Sequence, residues 1–387
     1  MSPTLTPAPI PPSRARVRVR LAASLLALLA LGVALSGCVS GMGGSVSGEA
    51  LRLAQRSPNH EGDVFVNEVE TEMSINPWDM LGRWMHGTEQ RQPVVPIAVA
   101  ALPAETLATA SPGVRATWMG HASVLVELEG KRILTDPVWS DVIGPTSWLG
   151  PERFQGLPIA LADLPTLDAV VISHDHYDHL DAPTITALAT TGVHFYVPLG
   201  VGVHLRSWDV PDAQITELDW WETAPIDDGT VSLVCTPARH FSGRGPFDRN
   251  ETLWASWAFV GDTHRVYFGG DTGMFEGFEA IGEAYGPFDL TLLPIGAYDP
   301  AWTAVHLNPE EAVQAHLAVR GGVLMPIHWG TFQLAMHTWN EPPARLAVAA
   351  DEQAVTVVWP RAGQPVALAA PPPAWERWWE QDAVAAE

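Results

Sequence analysis

The chemistry of this chain concentrates in one short segment, Val170-Val171-Ile172-Ser173-His174-Asp175-His176-Tyr177-Asp178-His179-Leu180-Asp181. An apolar run leads there into three histidines interleaved with aspartates. At the end of a strand, His174 and His176 project to the same side, because side chains alternate with a period of two. If the chain then turns, Asp178 and His179 present a second set of donors facing the first. Imidazole and carboxylate suit zinc, and a cluster this dense provides part of two adjacent sites. A histidine-rich surface loop without function is the plain alternative, but the strand-to-loop placement argues against it. Further ligands are expected from later strand ends. His240 follows an apolar run through Thr236-Pro237-Ala238-Arg239. Asp271 sits in Phe268-Gly269-Gly270-Asp271-Thr272-Gly273, where glycines permit close approach to an ion, and His328 ends the run 323–327.

The elements that must position these residues follow from the pattern. Apolar or alternating runs predict strands at 116–119, 123–127, 132–135, 169–173, 231–235, 255–260, 265–269, 290–294, 323–327 and 355–359. Helices are predicted at 182–189, 309–319 and 343–353, the second opened by Asn308 as cap and Pro309 in the first turn. Strands in succession, then helices between further strands, describe a layered α/β domain with sheet inside and helices outside. No repeat of 20–50 residues is present, which excludes a solenoid or propeller. Farther upstream, Trp78, Leu81 and Met85 share one helical face with Trp84 close by, and packing on the same domain is favoured over an interfacial role. In the tail, Pro371-Pro372-Pro373 breaks structure, and Trp375, Trp378 and Trp379 at helical spacing are expected to dock on the core.

The segment 172–181 carries His-x-His-x-Asp-His, and with it the chain resembles the metallo-β-lactamase superfamily. Within it, the sequence is most similar to the N-acylphosphatidylethanolamine-hydrolysing phospholipase D family. Trp118-Met119-Gly120-His121-Ala122, Leu134-Thr135-Asp136-Pro137-Val138, Leu218-Asp219-Trp220-Trp221 and His240-Phe241-Ser242-Gly243-Arg244-Gly245 carry that likeness. So do Phe268-Gly269-Gly270-Asp271-Thr272-Gly273, Pro294-Ile295-Gly296-Ala297-Tyr298-Asp299-Pro300 and Ile327-His328-Trp329-Gly330. The resemblance runs in order over about residues 113–360 and implies a four-layer αββα sandwich. It also implies two zinc ions. His174, His176 and His240 would hold the first, Asp178, His179 and His328 the second, with Asp271 bridging both. Zinc-activated water would then attack a phosphodiester of a phospholipid substrate. Asp178, Asp271 and His306 are the expected catalytic residues, His306 because it precedes a helix start and can meet the phosphate or leaving group. His121 is expected to be structural or to stand behind a metal ligand and orient it, Tyr177 to orient substrate or pack the loop, and Arg244 or Arg249 to meet an anionic head group or form a loop salt bridge. Cys235 reads as a buried strand residue, and no Gly-x-Ser-x-Gly elbow supports a serine hydrolase. A zinc hydrolase of a small lactone, ester or lactam, and a non-catalytic lipid-binding lipoprotein, are the competing functions.

Charge and the N-terminus bound the setting. Over 387 residues, 21 Lys+Arg face 44 Asp+Glu for a net −23, and Lys131 is the sole lysine. So acidic a chain has little cationic surface for nucleic acid. Two cysteines exclude a disulfide-dense scaffold. Arg14, Arg16, Arg18 and Arg20 precede an apolar run over 21–35 that ends in Leu35-Ser36-Gly37-Cys38. That layout resembles a bacterial lipoprotein signal, with residues 1–37 removed and Cys38 lipidated. An uncleaved membrane anchor is the alternative, disfavoured because the run is shorter than the stretch of about 20 apolar residues that spans comfortably. Export and anchoring to a bacterial membrane, on the periplasmic or cell-surface side, follow. The glycine- and serine-rich residues 39–45 read as a flexible tether. The expected organisation is therefore signal (1–37), tether and extension (38–112), hydrolase domain (113–360) and tail (361–387). Without the signal the balance is 17 − 44 = −27, so a lipid, and not charge, would draw the protein to an anionic membrane. No oligomeric state is read from the sequence.

Overall fold

The computed structural model describes residues 41–74, 76–87, 89–368 and 375–384. The signal segment, Cys38 and Pro371-Pro372-Pro373 lie outside the described residues. The chain begins with α1 (Gly48–Ala54), the ribbon β1 (His60–Glu61) and β2 (Val64–Phe65), and α2 (Pro77–His86). A first sheet forms from β3 (Val114–Gly120), β4 (Ser123–Leu128), β5 (Lys131–Thr135) and β6 (Ala169–Val171). It continues through α3 (Ala182–Ala189), β7 (His194–Pro198), α4 (Gly202–Ser207) and β8 (Ile215–Leu218). The second sheet takes β9 (Thr223–Ile226), β10 (Val231–Thr236), β11 (Ser256–Val260) and β12 (Arg265–Phe268). After α5 (Gly277–Tyr285) come β13 (Phe288–Pro294), α6 (Pro309–Ala318), β14 (Gly321–Ile327), α7 (Glu341–Gln353) and β15 (Thr356–Val357). Last, β16 (Pro365–Ala367) returns to the first sheet and α8 (Trp378–Val384) follows. The strand orders are β16-β3-β4-β5-β6-β7-β8 and β15-β14-β13-β12-β11-β10-β9.

Alternation along the strands divides their side chains between layers. Val124 and Val126 of β4 join a core shared with Trp257, Phe259 and Leu292 of the second sheet. Leu125 between them packs with Ile185, Leu188 and Leu205 of α3 and α4. Phe278, Ile281, Val313 and Leu346 bring α5, α6 and α7 onto the second sheet. The architecture is therefore a four-layer αββα sandwich, buried on both faces of each sheet. Because β5 and β6 are parallel, as are β12, β13 and β14, with β10 antiparallel to β11 and β11 to β12, their C-terminal loops all open on one edge. The turn between β3 and β4 lies on that edge too.

Several expectations change. The predicted strand 169–173 ends at Val171, because the Ser173 N–H is taken by Asp136 Oδ1 at 2.7 Å. β7, β8, β9 and β16 were not predicted, nor were α1, α4 and α5. Gly282 lowers the helix propensity of α5, yet a Cβ there would come within 2.4 Å of Ala318 O, so glycine permits the helix contact. The described part of the expected tether, from Gly41 on, is packed, not loose: a Cβ on Gly41 would come within 2.2 Å of Pro145 O, and one on Gly43 within 2.3 Å of His204 Nδ1. Nor does α2 pack by its apolar face. Trp78, Leu81, Trp84 and Met85 are exposed, and the helix is tied instead by Arg83 to both oxygens of Asp299 at 2.9 and 2.6 Å. Phe65, Trp378 and Trp379 are buried in the large core, so both flanks belong to the same body as the sheets.

Candidate active site

Seven of the expected residues meet at the open edge, in two facing groups. In the first, His174 Nε2 lies 2.7 Å from His176 Nδ1, and His240 Nε2 lies 3.3 Å from the same atom. In the second, His179 Nε2 and His328 Nε2 are 3.1 Å apart, with Asp178 Oδ2 3.4 Å from each. Asp271 touches both groups. Its Oδ2 is 3.2 Å from His179 Nε2 and 3.8 Å from His240 Nε2, while its Oδ1 is 3.0 Å from His328 Nε2. The loop after β6 supplies His174, His176, Asp178 and His179. The loops after β10, β12 and β14 supply His240, Asp271 and His328.

The outer bonds of these rings test whether the cluster fits a metal. His240 Nδ1 donates to Val305 O at 2.9 Å, and His179 Nδ1 donates to Asp136 Oδ2 at 2.6 Å. With the outer nitrogen donating, Nε2 is the nitrogen each ring turns inward, where a bound cation would take the place of a proton. Electrostatics divides the groups. Burial, reinforced for His174 by its neighbours His179, His176 and His240, pushes the pKa of His174 and His240 well below the imidazole range. Burial also depresses His179 and His328, but Asp271 and Asp178 outweigh it and raise both, His179 strongly. Burial would likewise raise the carboxyls of Asp178 and Asp271, yet His179, His328 and their neighbours hold them well below the usual range. The second group therefore favours a cation, and both carboxylates are ionised.

Supporting residues hold this geometry. Fully buried Asp136 accepts from Ser173 N, Ser173 Oγ and His179 Nδ1. No role was read for it in the sequence, although a lone acid between a strand and Pro137 is a usable signal. His121 Nε2 donates to Asp178 Oδ2 at 2.9 Å, and burial keeps His121 neutral with a pKa of about 3. Thr331 Oγ1 accepts from the His121 backbone, whose carbonyl accepts from His328 N. His121 and His328 both lie in the left-handed region, at φ 54° and 62°, where non-glycine residues are strained and cluster at functional sites.

The other candidates settle into distinct places. His306 Nδ1 is 3.8 Å from Asp271 Oδ2, and its ring lies 5.1 Å from His240 and 5.8 Å from His328. Its side chain stays 12% exposed, against 0–2% for His179, His240, Asp271 and His328, which puts it toward the mouth. Burial pushes its pKa to about 4. Tyr177 packs the loop, its hydroxyl donating to Arg244 O at 2.7 Å. Arg244 is buried and spends its donors on the carbonyls of Asp175, Leu180 and Gly41, so among the described residues it forms no salt bridge, and it is turned away from a head group. Arg249 lies over the Phe241 ring at 4.5 Å, and Phe241 packs on His176. Cys235 is buried with its thiol pushed well up by burial, which makes it inert.

Residues 131–329 match the family described as beta-lactamase superfamily domain. An uncharacterised protein of Mycobacterium tuberculosis is 49% identical over 366 residues, covering 91% of this chain and 96% of that protein. The N-acyl-phosphatidylethanolamine-hydrolyzing phospholipase D 1 of Caenorhabditis elegans is 44% identical over 232 residues, 57% of this chain and 65% of that enzyme. The structure of a metallo hydrolase from the archaeon Ignicoccus hospitalis matches with a TM-score of 0.51 at 26% identity, over 65% of this chain and 97% of that one. With a histidine and aspartate cluster able to bind metal at the open edge of an αββα sandwich, the chain belongs to the β-lactamase superfamily and is a metallo-hydrolase.

Proposed function

We propose that the protein is a dinuclear zinc phosphodiesterase of phospholipase D type, cleaving N-acylphosphatidylethanolamine-like lipids. The observation that carries this reading is Asp271, whose carboxylate touches both donor groups at once. The phospholipase D relative, which this chain matches over 65% of that enzyme's length, supports the substrate class. His174, His176 and His240 would hold one ion and Asp178, His179 and His328 the other, with Asp271 shared. When bound, zinc supplies Lewis acidity and acidifies a coordinated water. The chain's own residues do the rest. Ionised Asp178 and Asp271 retain the cations, while His121 and Asp136 fix the orientation of Asp178 and His179. Neutral His306 at the mouth hydrogen-bonds a phosphoryl oxygen or the leaving group.

The N-terminal sequence supports export, with Cys38 as the lipidated first residue of the mature chain and a bacterial membrane as its location. Zinc-loaded protein assayed on N-acylated phospholipid, a generic phosphodiester, a lactone and a cephalosporin tests the substrate. Hydrolysis of the phospholipid is expected, and activity confined to lactone or cephalosporin would eliminate the phospholipase reading. His306→Ala should keep both ions yet lose most turnover; undiminished turnover would remove His306 from the reaction.

A further inference from the structure

Residues 41–44, close behind Cys38 in the sequence, are seated against the active-site loops. Gly41 O accepts from Arg244 Nε at 3.2 Å and Nη2 at 2.6 Å. Through Nη1, the same guanidinium donates to Asp175 O at 2.5 Å and Leu180 O at 2.9 Å, inside the ligand-bearing loop. Gly41, Gly43 and Gly44 lie so close to Pro145 O, His204 Nδ1 and Val203 O that a Cβ on any of them would come within 2.5 Å. On the next loop, a Cβ on Gly245 would meet Met42 Cε at 2.8 Å. Residues 41–44 therefore run between the loop after β5 and the loop after β10.

Those two loops present large apolar side chains to solvent. Trp148 is 66% exposed, Leu149 49% and Phe247 92%. Both loops open on the edge that holds the site, and Arg83 ties α2, with exposed Trp78 and Trp84, to Asp299 in the loop after β13 on that edge. Leu317 and Val348, by contrast, stand singly on the outer helices α6 and α7. Two residues, Val39 and Ser40, separate Cys38 from Gly41, so a lipid on Cys38 starts three Cα–Cα steps, or no more than about 11 Å, from the seat.

We propose that the seat of Gly41–Met42–Gly43–Gly44 is an orientation clamp that holds the active-site edge against a lipid bilayer, with Trp148, Leu149 and Phe247 entering the interface. The proposal rests on the reading of Cys38 as the lipidated residue. A bilayer is the occupant because the chain's own N-terminus delivers this edge to one. Tryptophan favours the membrane boundary, and the tips Pro145-Thr146-Ser147-Trp148-Leu149 and Gly245-Pro246-Phe247 carry no charge. In a mature chain of 17 − 44 = −27, uncharged tips suit a zwitterionic surface better than an anionic one.

The test anchors the full lipidated chain in phosphatidylcholine vesicles and places a fluorescent probe on Phe247→Cys or, as control, on Val348→Cys. Buried Cys235 and acylated Cys38 stay unlabelled. Lipid-borne quenchers should quench the probe at position 247 and spare the one at 348; equal quenching would overturn the proposal. Gly43→Val, which drives a side chain into His204, should bring quenching at 247 down to the control level while the protein still floats with vesicles. Undiminished quenching would overturn the clamp. A second measurement leaves the seat intact. In the Cys38→Ser chain, Trp148→Glu and Phe247→Glu should each lower partition into these vesicles about tenfold, and unchanged partition would overturn the proposed contact. Failure of the lipid reading is separate: flotation of Cys38→Ser would then equal that of the parent.

Discussion

Asp136→Asn is the sharpest probe of how the site is held. Asp136 Oδ1 accepts from Ser173 N at 2.7 Å, and Oδ2 accepts from Ser173 Oγ and His179 Nδ1, both at 2.6 Å. Asparagine keeps the volume but replaces one oxygen with an amino group. If the amide oxygen keeps the Ser173 N–H, the amino group meets the His179 Nδ1–H donor to donor. Relief moves the His179 proton to Nε2 and removes the lone pair that faces His328 Nε2 across 3.1 Å. A hydrogen bond to a charged group contributes about 1.5–3 kcal/mol, so cation affinity at the second group should fall about 10- to 100-fold. Metal-free stability should change less, because burial already lifts the Asp136 carboxyl above its usual pKa and asparagine removes that desolvation cost along with the bond. Zinc content after equilibration against chelators of graded affinity, with circular dichroism to verify folding, measures the effect. The variant should lose one ion and keep the other. A folded Asp136→Asn protein holding both ions at parental affinity would refute the argument.

Two further outcomes bear on the scaffold. His316 sits on α6 beside Thr291 Oγ1 at 2.8 Å, and burial depresses its pKa to about 4. Its contribution to stability is present above the unfolded value of about 6.5 and is lost as pH falls toward 4, amounting to about 2 kcal/mol between pH 7 and pH 5. Denaturant titrations of parent and His316→Gln should show the parent losing that much more over the interval; equal losses would contradict the assignment. Trp379, fully buried with its ring 4.3 Å from that of Trp359, should cost about 3–5 kcal/mol on replacement by alanine. A loss under about 1 kcal/mol in urea unfolding would show that the tail does not belong to the core.

Local patterns were legible where cause and effect are neighbours in the chain. Continuous apolar runs marked β4 and β13, and the Asn308 cap with Pro309 marked α6, where the structure has a reciprocal capping box with Glu311. The cluster at 174–179 announced a metal site because its donors fall within six residues. Asp136 stayed unread because its partner His179 is 43 residues away and an acid before proline also suits a turn. Pro225 concealed β9, since proline argues against a strand unless that strand is an edge, which β9 is. Helical spacing told which residues of α2 share a face, but spacing holds no information about what covers that face. Glycine misled at 41–44 for a related reason. It can mean backbone freedom or close approach, and here the neighbouring carbonyls and the His204 ring decide for close approach.

The two donor groups also differ in how strongly they should hold a cation. Beyond the shared Asp271, the first group consists of imidazoles, two of which burial keeps strongly neutral. The second adds ionised Asp178 and backs His179 with Asp136. A divalent ion there meets two carboxylates directly and a third through the His179 ring, whereas one in the first group meets only Asp271. Opposite charges at 3–4 Å in a buried site dominate such a comparison. Stepwise chelation should therefore empty the His174, His176 and His240 group first. Competition titrations on two variants distinguish the order. His240→Asn should lose the weaker phase and keep the tight one, and Asp178→Asn should lose the tight phase. If Asp178→Asn instead kept the tight phase and lost the weaker one, the charge argument would be wrong, and the geometry of the three imidazoles would have to be the stronger determinant.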